Sequence, residues 1–203
     1  MKILKNNFSV VVSAPSGAGK TTIINKLLSE DPGYEFVIST TTRPPRKGEK
    51  DGINYYFTTI EDFRNKIKTN KFIEWSLVHQ NYYGIAKKEF DRIIALGKIP
   101  LFDIDVQGAL KLKKILKDAV YIFIIPPSIE ILKTRLMKRN TDSKQQINIR
   151  IQNALKELKK IKHYDYIIVN ENIKDSVLDF KAILRAEFCK NNKNYINAEY
   201  TQI

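Results

Sequence analysis

The chain lacks a second cysteine: Cys189 stands alone among 203 residues. An internal disulfide is excluded, and a reducing compartment is the natural setting. No apolar stretch approaches the roughly 20 residues that cross a bilayer. The N-terminal MKILKNNFSVVVSA has basic residues ahead of a short apolar run. That run flows directly into a glycine-rich loop, so it reads as a first strand and not as a signal peptide. These absences predict a cytoplasmic protein with no membrane partner. Internal repeats and low-complexity linkers are absent too, and 43% hydrophobic content over 203 residues suffices for one self-sufficient core.

Arginine is also scarce. Of 35 basic residues only eight are arginine, and lysine carries the rest of a formal charge of +13. Such a charge invites a nucleic-acid reading. The lysines, however, are dispersed along helices at solvent-facing spacing, so a solvated surface with no specific nucleic-acid partner is expected. Where arginine replaces the default lysine, its planar fork suits an oxyanion held by two parallel hydrogen bonds. Five of the eight fall in two clusters, Arg43/Arg46 and Arg135/Arg139/Arg150, while Arg64, Arg92 and Arg185 stand apart.

Hydrophobic periodicity orders the rest. A β-branched run over 8–14 leads through the glycine-rich loop into helical spacing over 21–28. Short strands are expected at 35–40, 54–57, 72–75 and 78–84, and a Thr58-x-x-Glu61 capping box opens a helix to about Lys68. From Lys87 the pattern becomes regular: helix to 96, strand from 99, helix 106–116, strand 119–125, then a helix capped by Ser128. Ile147, Ile151, Ala154, Leu155, Leu158 and Ile161 mark one helix face, followed by a strand at 166–169 and a closing helix at 173–188. This alternation predicts an α/β fold: a three-layer single domain over 1–203 with a mostly parallel sheet covered on both faces. The short strands of 40–84 interrupt it and are expected to form an inserted subdomain.

Between the first strand and the first helix lies Ala14-Pro15-Ser16-Gly17-Ala18-Gly19-Lys20-Thr21-Thr22. Strand, loop and helix are the context a phosphate-binding loop requires, and they place the chain among P-loop NTPase-type folds. Backbone N–H groups from Ser16 to Gly19 would face a β-phosphate of ATP, aided by the positive end of the helix. Lys20 supplies a cation between β- and γ-phosphates, and the Thr21 hydroxyl can ligate Mg²⁺. The pattern G-x-x-x-x-G-K-[ST] loses its first glycine to Ala14, so this position must hold a conformation that an L-residue accepts. A glycine-rich turn without phosphate is the alternative. The loop does not name an acceptor; a GTPase would add a guanine-reading N-K-x-D and switch glycines, and neither is present.

The acceptor side begins with Ser39-Thr-Thr-Thr-Arg43-Pro-Pro-Arg46-x-Gly48-Glu49-x-x-Gly52-x-x-Tyr55-x-Phe57. Phe72-Ile-Glu74-Trp75, Asn81-Tyr-Tyr83-Gly84 and Asp103-Ile-Asp105-Val-Gln-Gly108 follow. In this order the motifs resemble the guanylate kinases, over nearly the whole chain from 8 to about 187. The chemistry agrees. Arg43 and Arg46 can grip the dianionic phosphate of GMP, with Tyr55 and Tyr83 as neutral donors. The prolines restrict the loop and lower its ordering cost. Guanine presents adjacent N1–H and N2–H donors that Glu74 can accept together, whereas adenine has no matching pair. The resemblance further implies that Ser39 meets the guanine oxygen and that Asp103 and Asp105 help place GMP and the hydration shell of Mg²⁺. Plainer roles stay open: a solvated loop for the arginines, a surface carboxylate for Glu74, packing aromatics for the tyrosines, helix caps for the aspartates. The family usually has Ser or Thr directly after Tyr-Tyr-Gly, where this chain has Ile85.

Arg135, Arg139 and Arg150 flank a polar segment at 140–144, as in the family's lid over ATP. The resemblance thus implies a lid at 135–150 beside a core of 1–39, 85–134 and 151–203, and a GMP-binding subdomain at 40–84. Arg135 and Arg139 are i,i+4 and share a helix face, which could also be merely solvated. Asn140 stands where the family often has Gly, and Asn too tolerates a left-handed helix end. Asn170 resembles the position near adenine. The implied activity is transfer of the γ-phosphoryl group of ATP to GMP and dGMP, giving ADP and GDP. Lys20, Arg43, Arg135, Arg139 and Arg150 would be its catalytic cations and Mg²⁺ its cofactor. The acceptor oxygen is already anionic, so no general base is needed. Two rivals are a non-catalytic guanylate-kinase-like module for phosphorylated protein partners and a monophosphate kinase for another base.

Overall fold

The computed structural model describes residues 8–78, 80–137 and 144–191. In chain order the first half comprises β1 (Val10–Ser13), α1 (Lys20–Glu30), β2 (Tyr34–Phe36), β3 (Thr40–Thr41), β4 (Tyr56–Phe57), α2 (Ile60–Lys68), β5 (Phe72–Val78) and β6 (Asn81–Ala86). The second half comprises α3 (Lys87–Ala95), β7 (Ile99–Asp103), α4 (Val106–Lys113), β8 (Val120–Ile125), α5 (Ile129–Met137), α6 (Lys144–Leu158), β9 (Tyr166–Val169) and α7 (Ile173–Asn191).

β1 is buried along its whole length. A β-branched run without polar alternation is satisfied only in the middle of a sheet covered on both faces. Accordingly β1 pairs in parallel with β7 on one side and β8 on the other, in the order β2-β7-β1-β8-β9. Val10 and Val12 face Ile23, Leu27, Phe180 and Leu184 of α1 and α7, while Val11 faces Ile93, Phe102, Leu112 and Tyr121 on the α3/α4 side. The all-parallel sheet brings the carboxyl ends of β1 and β7 to one rim, where α/β folds bind ligands.

A second sheet, ordered β4-β3-β6-β5, overhangs that rim. Here β3 and β4 are parallel and the other pairs antiparallel. Its outer face is covered by α2, whose Phe63 stacks on Phe72 at 4.4 Å and on Tyr82 at 5.2 Å. Gly84 is required by this approach, since a Cβ there would lie 2.9 Å from the Phe63 ring. The two sheets are joined through Glu89 of α3, which is 4% exposed and accepts hydrogen bonds from Arg92, the Tyr56 hydroxyl and the Ile38 N–H.

Several local expectations change. The single strand expected at 35–40 is divided, because β2 belongs to the core sheet and β3 to the overhanging one. The strands expected at 72–75 and 78–84 are a hairpin, β5 and β6, with Gln80 turning at φ 66°. The cap of α2 is Thr59, one residue later than expected, accepting from the Asp62 N–H at 3.1 Å. The subdomain limit drawn between 84 and 85 falls inside β6, and the lid limits at 135 and 150 fall inside α5 and α6. The segment expected to hinge the lid, with Arg139 and Asn140, lies outside the described residues.

Candidate active site

The loop after β1 closes tightly on itself: the Ala18 N–H donates to the Pro15 carbonyl at 3.1 Å. Gly17 and Gly19 take φ of 91° and 93°, a region that L-residues avoid. Ala14 has no positive φ, so the missing first glycine costs nothing here. Behind the loop sits Asn170, 2% exposed, whose amide donates to the Ala18 carbonyl at 2.6 Å and accepts from the Ser176 hydroxyl at 3.1 Å. Its carbonyl accepts from Arg135 at 2.9 Å. Asn170 therefore braces the loop from beneath, with both ends of its amide engaged. A Cβ on Gly19 would run into that amide. Gly19→Ala should cost more than 2 kcal/mol on the usual scale of overpacking plus a left-handed backbone. Thermal unfolding, read beside ATP binding by calorimetry, would show both falling together.

Lys20 opens α1 and pairs with Asp103 at the end of β7; its ammonium also donates to the Ile104 carbonyl at 3.3 Å. The Ser13 hydroxyl donates to the same carbonyl at 2.9 Å, tying the ends of β1 and β7 together. Asp105 accepts from the Gly108 N–H at 2.7 Å and so caps α4. The cap role left open for this residue is thus realised, while Asp103 is bound to Lys20. Ser16 to Thr22, Asp103 and Asp105 line one cleft of about 490 Å³ together with Ser39, Arg46, Tyr55, Glu74 and Tyr83.

Across this cleft, β5 and β6 form the opposing wall. Glu74 stands on β5 opposite Ile85, and Ser76 opposite Tyr83. Residues two apart on a strand share a face, so all four point the same way. Glu74 is 6% exposed, and its Oε1 has no hydrogen-bond partner. Burial raises its carboxyl from 4.5 to about 7; the Lys111 ammonium, 3.8 Å away, opposes the rise, and Asp105 adds to it. Gly108 at the start of α4 lies against Glu74, where a Cβ would be in ordinary contact with Oε2 at 3.5 Å. A buried carboxylate with an oxygen free of hydrogen bonds is costly for folding alone and suits a ligand that brings donors.

The arginines behave differently from one another. Arg46 lines the cleft. Arg43 instead grips Glu49, its terminal nitrogen 2.8 and 2.9 Å from the two carboxylate oxygens, and lies over the Tyr55 ring at 5.4 Å. Burial works against its charge, yet Glu49 and Tyr83 hold its pKa above the ordinary arginine range. Tyr55 and Tyr83 meet edge to face at 6.1 Å, and burial raises the Tyr55 phenol. Arg135 is turned onto Asn170, and Arg150 lies partly buried on α6; neither lines the cleft.

Glu157 of α6 reaches the cleft although the sequence did not single it out. Burial, then Asp105, raises its carboxyl to about 7, against the pull of Lys20 and the Ser16 N–H. Helical periodicity identifies the buried stripe of α6 but not the loop across from it, so nothing local marked this residue. Ser76 lies on β5, and only its register with β6 places it on the cleft face.

A phosphate-binding loop and an overhanging wall that combines an arginine, two tyrosines and a buried carboxylate define a P-loop nucleotide phosphotransferase. The guanylate kinase family model matches residues 6–187. Guanylate kinase from Clostridium perfringens strain SM101 is 44% identical over 191 residues, covering 93% of this chain and 88% of the relative. That of Rickettsia prowazekii is 40% identical over 191 residues, covering 94% and 97%. The crystal structure of guanylate kinase from Anaplasma phagocytophilum superposes with a TM-score of 0.77 at 32% identity, covering 98% of both chains. The chain belongs to the guanylate kinase family.

Proposed function

We propose that this cleft transfers the γ-phosphoryl group of ATP to GMP, giving ADP and GDP, with the donor on the glycine loop and the acceptor on the β5/β6 wall. The observation that carries the acceptor's identity is the buried Glu74 oxygen that lacks a hydrogen-bond partner and faces the same cleft as Lys20. Its carboxylate, once ionised, accepts the N1–H and N2–H donors of guanine. Ser39 faces the guanine carbonyl, while Arg46, Tyr55 and Tyr83 hold the monophosphate. Arg43 joins them by exchanging Glu49, whose two oxygens share one terminal nitrogen, for a phosphate held by both ends of its fork.

Donor phosphates are held by the loop N–H groups and by Lys20, kept in place through Asp103 and the Ile104 carbonyl. Among the described residues no cluster of three or more acidic, histidine or cysteine side chains could cage a metal. That suits Mg²⁺, which keeps several waters and takes most of its remaining ligands from the nucleotide phosphates. Thr21 would hold it directly and Asp103 or Asp105 through water, where it would neutralise charge on the phosphates. Arg135, Arg139 and Arg150 would come over the triphosphate when the lid closes and excludes water. The acceptor oxygen attacks as an anion, so alignment and charge neutralisation carry the rate. Among the described residues no helix is long and apolar enough to cross a membrane, and a cytoplasmic setting agrees with this chemistry.

The test is coupled ADP release with ATP and Mg²⁺ and, in turn, GMP, dGMP, AMP, CMP, UMP and dTMP. Turnover with the two guanine nucleotides alone is expected. Equal turnover with another base would move specificity away from Glu74, and none with any acceptor would leave a binding module.

A further inference from the structure

We infer that Ser76 reads the sugar of the acceptor nucleotide and makes the enzyme prefer GMP over dGMP. The inference rests on the assignment of this wall to a guanine monophosphate and adds a recognition element for its ribose. The sheet register carries it. On the cleft face of the β5/β6 hairpin, one rung pairs Glu74 with Ile85 and the next pairs Ser76 with Tyr83. Glu74 is the base end of the site and Tyr83 the phosphate end. The two rungs are two residues apart along the strand, roughly 6.8 Å. A nucleotide running from Glu74 on β5 to Tyr83 on β6 crosses that gap with its ribose. Ser76 stands beside the crossing, on the strand that carries Glu74 and on the rung that carries Tyr83.

The side chain is suited to the task. Ser76 is 5% exposed and lines the cleft. No described residue takes its hydroxyl as a hydrogen-bond partner. Its neighbours on this face leave the role to it: Ile85 is apolar and 1% exposed, Val78 is apolar, and Tyr83 is turned to Arg43 and Tyr55. A serine hydroxyl both donates and accepts, which matches the 2′-hydroxyl of a ribose, itself donor and acceptor. With dGMP bound, the same hydroxyl would be covered without a partner, so discrimination comes from the unpaired group as well as from the bond gained.

The experiment compares kcat/KM for GMP and dGMP in the wild type, Ser76→Ala and Ser76→Thr, with thermal unfolding of each. A single neutral hydrogen bond predicts a wild-type preference for GMP of about five- to tenfold. Ser76→Ala should bring the two substrates within about twofold, by a loss with GMP and a smaller gain with dGMP. Ser76→Thr, which keeps the hydroxyl, should retain most of the preference. An equal loss with both substrates would put the hydroxyl on the base or in the wall's packing and overturn the inference, as would a wild type that does not distinguish them. Failure of the wild type to turn over either guanine nucleotide would instead sink the underlying assignment of the site, and the inference with it.

Discussion

Glu74→Gln is expected to abolish GMP-dependent ADP release while making the protein more stable. The carboxylate offers two acceptor oxygens to two guanine donors; the amide offers one oxygen and sets its own N–H₂ against the other donor. Sites built around buried hydrogen bonds reject such mismatches strongly, so kcat/KM should fall by about 10³-fold or more. Stability moves the other way. The Glu74 carboxyl is raised from 4.5 to about 7, chiefly by burial, so the folded protein binds its proton more tightly than the unfolded chain does. The penalty for burying the charge is present in full above pH 7 and fades as the pH falls toward the unfolded value. It amounts to roughly 3 kcal/mol at most, and glutamine removes it. A rise in Tm of about 5 °C at pH 8, shrinking toward pH 5, is expected from unfolding scans of the two proteins. Wild-type KM for GMP should likewise rise as the pH falls below 7, because only the ionised carboxylate accepts both donors. Retained GMP turnover in the variant, or a Tm gain that ignores pH, would refute this account of Glu74.

Lys20→Ala should lower kcat by about 10³-fold, the scale seen when one preorganised charge is removed from a transition state. The ammonium is held by Asp103 and the Ile104 carbonyl before any substrate arrives, so its position costs nothing at the moment of transfer. Lys20→Arg should not restore the rate. A planar fork cannot replace a point charge beneath a loop whose glycines are already in close contact with their surroundings. GMP binding, measured by calorimetry, should change by less than about tenfold, because the acceptor wall does not contain Lys20. A variant that keeps near-normal turnover would remove Lys20 from the mechanism.

Both predictions begin from residues whose chemistry was plain in the chain, but their settings were not. The glycine loop was legible because every part of it lies within nine residues, and local geometry follows local sequence. Glu74 was legible as a candidate guanine acceptor from its motif, yet its burial depends on α4, far along the chain, packing against β5. Asp105 reads as a ligand or a cap, and the Gly108 N–H shows that one of its oxygens caps α4. Arg43 looked free to meet phosphate, but Glu49, six residues later, already accepts from one terminal nitrogen of its fork and the Pro44 carbonyl from the other. The divided strand at 35–40 was missed because periodicity reports which face is buried and says nothing of which sheet supplies the partner.

What the sequence determined by itself was the order of strands and helices, the glycine-rich loop and the set of side chains proposed to recognise a guanine monophosphate. Each of these depends on neighbours within a strand, a turn or a short motif. The tertiary structure alone decided that β1 lies between β7 and β8, that Asn170 braces the loop, that Glu157 enters the cleft from α6 and that Ser76 lies one rung from Glu74. These are contacts between residues far apart in the chain, set by strand order and register, and no local pattern of side chains carries that information.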